Sequence, residues 1–250
     1  MAVVPYERRR IRTVRSTWVI LLITLLLTAA VGALIISVGK LDPETGDILG
    51  NLTTLELLNG VFASGSQLLI LVPLATLAAM AFGGEYRFAL IRTTLTAFPR
   101  RSGVFLAKFW VVSVYLVVFL LLCVALVLAA SQFVPSRVDA AIDPLPMLGF
   151  VGRFLAFGLM FCMFAFALAV ITRMQALAII IPVLWALIVE GVLSGILASK
   201  FEWLPKVLPI TAGSNFVAAG EEWQQGGLVM LAWVVVFMLI AWLLLLRRDA

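Results

Sequence analysis

The chain has no histidine and only two cysteines. Without imidazole it has no imidazole general base and no His-ligated metal site. Cys123 and Cys162 both lie inside apolar runs, where they read as small buried hydrophobes and imply no disulfide framework. Charge is scarce as well. Charged residues make up 12% of 250, against about 25% in a soluble domain. No polar stretch is long enough to build a large soluble domain. The chain also lacks a G-x-x-x-x-G-K-[ST] phosphate loop, an H-E-x-x-H, a C-x-x-C and a G-x-S-x-G. It therefore holds no nucleotide by a phosphate loop and shows no catalytic constellation. No catalytic residue and no metal ligand is expected.

Apolar residues are what the chain has in abundance, at 64%, where soluble domains have about 45–50%. The bilayer is the solvent for most of it. Six runs approach the ~20 residues that span a bilayer: 18–38, 60–82, 104–130, 148–171, 176–197 and 228–246. The expected fold is all-α, a single polytopic transmembrane domain over 1–250. The first run follows a basic start but is too long for a signal-peptide core, and no small-residue cleavage site follows it. It reads as an uncleaved helix, and the Arg8-Arg9 pair is discounted as a twin-arginine signal. Pro73 and Pro182 interrupt their runs, which membrane helices tolerate when neighbours satisfy the freed carbonyl. The third run is long enough to tilt or to carry a stem.

The connections differ in character. Residues 39–59 are acidic and turn-like through Asp42-Pro43-Glu44-Thr45-Gly46, and Asn51-Leu52-Thr53 is a glycosylation triplet that carries no weight alone. Residues 131–147 hold Pro135, Pro144 and Pro146. Residues 198–227 are rich in aromatics yet broken by Pro205 and Pro209. They fit two short helices that dip into the leaflet or cap the bundle, or an interfacial aromatic loop.

Charge placement orients the chain. With the N-terminus inside, the inner cations are Arg8, Arg9, Arg10, Arg12, Arg15, Arg87, Arg92, Arg100, Arg101, Lys108, Arg173, Arg247 and Arg248. The outer ones are Lys40, Arg137, Lys200 and Lys206, which makes 13 against 4. The positive-inside bias puts both termini in the cytoplasm. It also explains the net charge of +5 without nucleic acid as a partner.

The stretch from Gly83 to Lys108 stands apart. It reads GGEYRFALIRTTLTAFPRRSGVFLAK, too polar for hydrocarbon and too patterned for a linker. Phe88, Ile91, Leu95 and Phe98 share one face of a helix over about 84–98, and Glu85, Arg92 and Thr93 fall elsewhere on the wheel. The helix is expected on the cytoplasmic surface, offering a face to a partner, or serving only as a basic interfacial anchor among the lipids.

Glu190 is the one acid clearly inside a spanning run, about 10 Å deep at ~1.5 Å per residue. An ionised acid at mid-membrane costs about 2.5–3.5 kcal/mol, so it faces protein or water. It is either a gate, substrate contact or proton site on a translocation path, or a structural acid, protonated or paired with Arg153. Ser64-Gly65-Ser66 reads as a packing patch within a helix, and Gly191 with Gly195 as a small-xxx-small contact.

Two stretches resemble a known family. Glu85, Tyr86, Arg87, Ile91, Arg92, Thr93, Thr94, Leu95, Pro99, Arg100 and Arg101 match the pattern E-Y-R-x-G-T-I-R-T-T-L-x-x-x-P-R-R. That pattern precedes the third helix of bacterial, especially actinobacterial, ABC-2 type permeases. Ala89 and Leu90 stand where the pattern has Gly-Thr. The lead-in Arg12-Thr13-Val14-Arg15-Ser16-Thr17-Trp18, the six-run layout and the long segment before the last run are similar too. The resemblance implies the membrane subunit of an ATP-driven exporter of lipids, drugs, antibiotics or peptides in the bacterial cell membrane. This chain would bind no cofactor, with ATP and Mg on a separate ATPase subunit. That subunit would dock on the coupling helix through Glu85, Tyr86, Arg87, Ile91, Arg92, Thr94, Leu95, Arg100 and Arg101, and a second permease chain, identical or related, would complete the transporter. Two other readings fit the residues: a non-transport scaffold that recruits a cytoplasmic protein, and an ion-gradient-driven transporter, which would need more intramembrane acids or inverted repeats.

Overall fold

The computed structural model describes residues 3–39, 51–63, 65–139, 143–193, 201, 203–220 and 223–247. The order is α1 (Val3–Thr13), α2 (Arg15–Val38), β1 (Leu52–Thr53), α3 (Thr54–Phe62), α4 (Gln67–Arg87), α5 (Ile91–Ala97), α6 (Arg101–Phe133), β2 (Val138–Asp139), α7 (Pro144–Thr172), α8 (Gln175–Leu184), a π-helical segment Trp185–Glu190, α9 (Leu204–Val207), α10 (Pro209–Ala218) and α11 (Trp223–Arg247). Five helices are long and apolar enough to cross a membrane: α2, α4, α6, α7 and α11. The expected run 176–197 holds the apolar stretch Gln175–Glu190, and its residues 194–197 lie outside the described residues.

Helix α7 is the axis of the bundle. Buried residues run without interruption from Phe161 to Val170, and a helix apolar on all sides belongs in an interior. It packs against α4, α11, α8, α6 and α10. Phe166 meets Phe82 and Phe105 edge-on, with ring centroids 5.4 and 5.5 Å apart, which adds to plain burial. By contrast α2 and α11 are only 22% buried along their apolar windows. Their outer flanks face what surrounds the bundle.

The expected second run, 60–82, is broken. Helix α3 ends at Phe62 and α4 starts at Gln67. Gly65 and Ser66 are therefore a turn and not a packing patch within one helix. The Ser66 hydroxyl donates to the carbonyls of Gly60 and Val61, at 2.9 and 3.1 Å. It thus satisfies groups that a helix end leaves unpaired. The spanning helix lies later than expected and absorbs Gly83 to Arg87. The third run starts at Arg101 and the fourth at Pro144, each earlier than apolarity alone suggests.

The two ends of the bundle differ. At one, α1, α5, the last turns of α4, α7 and α11, and the first turns of α6 and α8 meet. At the other, Leu52 pairs with Val138 in a two-residue parallel β contact. A capping box of Thr53 and Glu56 starts α3, and Arg137 donates to the Ser37 carbonyl at 2.9 Å, closing α2. Lys40, Lys200 and Arg248 of the charge count lie outside the described residues, as do the turn Asp42 to Gly46, Ser64, and Gly195 of the small-residue pair.

Candidate functional site

The basic end is built around a segment expected to be one helix. The helix over 84–98 is instead in two pieces. Residues up to Arg87 belong to α4, Phe88 to Leu90 form a turn, and α5 covers Ile91–Ala97. The break is at Ala89, whose φ is 53°. That left-handed conformation costs a residue with a side chain about 1–2 kcal/mol. A periodicity count does not register an alanine that leaves the helical region. The turn is closed by Leu90 N–H donating to the Glu85 carbonyl at 2.8 Å and Phe88 N–H to Gly84 at 3.1 Å.

The apolar stripe therefore splits. Ile91 and Thr94 are buried and Leu95 and Phe98 half-buried, so this face of α5 points inward. Phe88 is 66% exposed. Ile91 and Leu95 sit with Tyr86, Val170, Arg173, Leu244 and Leu245 around a small crevice. The Arg173 guanidinium lies over the Tyr86 ring at 5.7 Å. Arg101 reaches α11 and donates to the carbonyls of Leu245 and Leu246, at 3.2 and 3.3 Å. A cation on the last turn of a helix is well placed for its dipole. Of the nine residues expected to face a partner, Arg87, Arg92 and Arg100 are exposed. Ile91, Thr94 and Leu95 line the inward face, and Arg101 ties the segment down.

Glu85 is the clearest departure from an outward-facing role. It is 3% exposed. Its Oε1 accepts from Lys108 Nζ at 2.6 Å and also from Arg10 Nη1. Lys108 Nζ in turn donates to Glu7 Oε1 at 2.6 Å and to the Ala81 carbonyl at 3.1 Å. Arg10 Nη2 reaches the Met80 and Ala81 carbonyls, at 3.3 and 3.1 Å. Lys108, with no exposure at all, also lies 5.2 Å from the Phe82 ring centroid. Two acids and two bases thus cancel, joining α1, α4 and α6, with Glu7, Glu85 and Lys108 buried and Arg10 half-buried at the rim. Buried charges persist when paired in this way. The cluster places two cations of the inner count, the buried Lys108 and the half-buried Arg10, in a neutral group. Neither Glu7 nor Lys108 stood out in the sequence. Lys108 lies seven residues into α6, a depth at which an ionisable side chain needs a partner, and Glu7 is three residues from Arg10 on one helical face.

Glu190 lies at the other end and does not pair with Arg153. Its carboxylate accepts from Ile210 N–H at 2.9 Å, Thr211 N–H and hydroxyl at 2.6 Å each, and Trp185 Nε1–H at 3.0 Å. It therefore caps the N-terminus of α10, whose own preceding residue, Leu208, offers no side-chain cap. Arg153 grips the opposite end, donating from Nε to the Val217 carbonyl at 3.2 Å and lying 5.5 Å from the Trp223 ring centroid. An acid at the start and a cation at the end suit the dipole of α10. The two residues are bound to one short helix rather than to each other. The 198–227 segment does contain two short helices, and α10 packs on α7 and α11. The π-helical segment after Pro182 carries Glu190.

Among the described residues no cluster of His, Cys, Asp and Glu could hold a metal. Searches of protein-family models and of curated proteins found no match to this chain.

Proposed function

We propose that the chain is the membrane subunit of an ATP-driven transporter, and that a separate cytoplasmic ATPase docks on the elbow formed by residues 87–100. One observation carries the reading. The elbow exposes Arg87, Arg92 and Arg100 while its own inner face and both flanks are fastened to the bundle. Ile91 is buried, Arg101 holds the end of α11, and the Glu7–Arg10–Glu85–Lys108 cluster joins the two helices on which the elbow hangs. A push on such a segment moves α4 and α6 together and does not dissipate in a loose loop. The resemblance to ABC-2 type permeases gains support from Ala89. The left-handed residue of the turn is the one at which the family pattern carries Gly, and Gly adopts that conformation without penalty.

On this reading the charge bias puts the elbow and both termini in the cytoplasm of a bacterium. ATP and Mg stay on the partner, and a second permease chain, identical or related, completes the pathway. The little-buried flanks of α2 and α11 are the surfaces left for that chain and for lipid. The apolar grooves of the bundle suit export of a hydrophobic or amphiphilic substrate. Glu190, held by four donors, acts as a brace for α10. Its part in translocation would be to keep that helix in place.

The test is co-purification of the tagged chain from its native membrane with an ATPase assay, comparing the native chain with an Arg92→Glu/Arg100→Glu variant. Recovery of a soluble ATPase that the variant loses supports docking on the elbow. Recovery of a partner without ATPase activity favours the scaffold reading, which the same exposed arginines would serve.

A further inference from the structure

At the end of the bundle opposite the elbow, α2 and α6 part around a groove of about 420 Å³. Gly32 and Ile36 of α2, Leu57 of α3, and Val127 and Ala130 of α6 stand on its walls. Leu57, Val127 and Gly32 are buried, while Ala29 and Ala33, also on the wall, are exposed. Gly32 continues the face of α2 that carries the buried Ile20, Thr24 and Thr28. Yet a Cβ added to Gly32 meets nothing within 4 Å among the described residues. A helix face turned toward the bundle is left without a protein side chain against it at this level.

The polar groups of the groove divide into a channel and a mouth. The Thr28 hydroxyl donates to the Thr24 carbonyl at 2.8 Å, and the Ser37 hydroxyl to the Leu34 carbonyl at 2.7 Å. Both spend their protons on their own helix, so the channel suits hydrocarbon. Arg137 stands at the mouth, exposed, on the same wall as Ser37. Its Nη1 donates to the Ser37 carbonyl at 2.9 Å. That holds one edge of a guanidinium with five N–H groups and leaves the other for an anion. No carboxylate of the described residues pairs with it. Ser37 lies in the last turn of a spanning helix, the level of lipid headgroups.

Length narrows the occupant. From Thr28 to Ser37 the α2 wall runs nine residues, roughly 13 Å of helix. One leaflet of hydrocarbon is about 15 Å, half of the bilayer core. A helix of a second copy would seek contact across both leaflets, and the earlier turns of this α2 face are already buried. It would also bring no phosphate to Arg137.

We propose that this groove is a phospholipid site. One acyl chain of the leaflet opposite the elbow lies between α2 and α6, and the lipid phosphate rests on the Arg137 guanidinium, a charge-assisted pairing suited to Arg. The lipid ties α2, only 22% buried along its apolar window, to the rest of the bundle. The site does not depend on an ATPase being the partner.

Native mass spectrometry of the purified full chain in detergent tests it, with phosphatidylglycerol and diacylglycerol of matched acyl chains as the probes. Diacylglycerol keeps the chains and lacks the phosphate. The native chain should bind one phosphatidylglycerol about tenfold more tightly than diacylglycerol, a difference of about 1.4 kcal/mol. Soluble glycerol phosphate at the same concentration should not displace the lipid, because it lacks the chain. Arg137→Gln should bring phosphatidylglycerol down to the level of diacylglycerol. Gly32→Leu fills the groove with a better helix former and should weaken both lipids about tenfold. Equal binding of the two lipids by the native chain overturns the proposal, and that comparison needs no variant to fold. Unchanged phosphatidylglycerol binding in Gly32→Leu overturns it too. So does displacement by glycerol phosphate, which would assign a free phosphate site, or a dimer that Gly32→Leu abolishes with lipid binding intact, which would assign the groove to a second copy.

Discussion

Replacing Lys108 by Met tests the ion cluster most sharply. Met keeps much of the length and the apolar stem, but removes the ammonium that bonds Glu7 and Glu85 at 2.6 Å each. The native group holds two acids and two bases. The variant holds the buried Glu7 and Glu85 against the half-buried Arg10 alone, a net charge of −1 for the cluster. Breaking a buried ion pair from one side costs about 3–5 kcal/mol, because an uncompensated charge stays behind. Adding Glu85→Gln restores neutrality, with Glu7 facing Arg10 at 3.4 Å as it does now. The double variant should then recover about 2 kcal/mol or more, since groups in one network are not additive. Both quantities can be read from reversible unfolding in mixed micelles with increasing denaturing detergent. A Lys108→Met chain within about 1 kcal/mol of the native one would mean that the ammonium does not hold the cluster together. So would a double variant no more stable than the single.

Ala89→Gly should stabilise the chain by about 0.5–1 kcal/mol in the same assay, because the relief at φ 53° exceeds the extra entropy of Gly in the unfolded chain. Glu190→Ala removes the cap that four donors share and should cost about 2–4 kcal/mol. Limited proteolysis should then cut within 208–218 well before the rest of the chain. Gly226 packs directly on the Ala212 carbonyl and Gly83 on Gln175, where a Cβ would come within 2.8 Å of the Gln175 Cα. Alanine at either position should cost about 1–3 kcal/mol by overpacking, read as a loss of folded yield in detergent. The native cysteines are fully buried, so single introduced cysteines can be labelled cleanly. A membrane-impermeant maleimide should reach Ala97→Cys only from the cytoplasmic side and Ala218→Cys only from the opposite side. Labelling of both from the same side would contradict the orientation.

How far the sequence could be read depended on the scale of the feature. Long apolar runs were legible because twenty residues of hydrocarbon character have few other uses, and α2, α6, α7 and α11 lie where the runs do. Boundaries were less so. Apolarity does not see that Arg101 and Pro144 begin helices, or that Gly65 and Ser66 end one by hydrogen-bonding back. The elbow was found from its charge and spacing. Its division was not, because Ala89 is a helix former by propensity and its left-handed conformation is imposed by the surrounding fold. The ion cluster unites α1, α4 and α6, with separations up to 101 residues, and spacing along the chain cannot reveal such a meeting. Glu190 was singled out as an acid that faces protein or water. Its partners proved to be the backbone and hydroxyl donors of α10 and the Trp185 indole, which no charge count could nominate.

If the elbow 87–100 docks a nucleotide-hydrolysing subunit, co-purification of the tagged chain will recover that subunit. A soluble ATPase is expected in the eluate of the native chain. An Arg92→Glu/Arg100→Glu chain that inserts and folds normally should lose that ATPase. Recovery of the same ATPase with both arginines reversed, or an eluate with none under crosslinking, would contradict docking on the elbow.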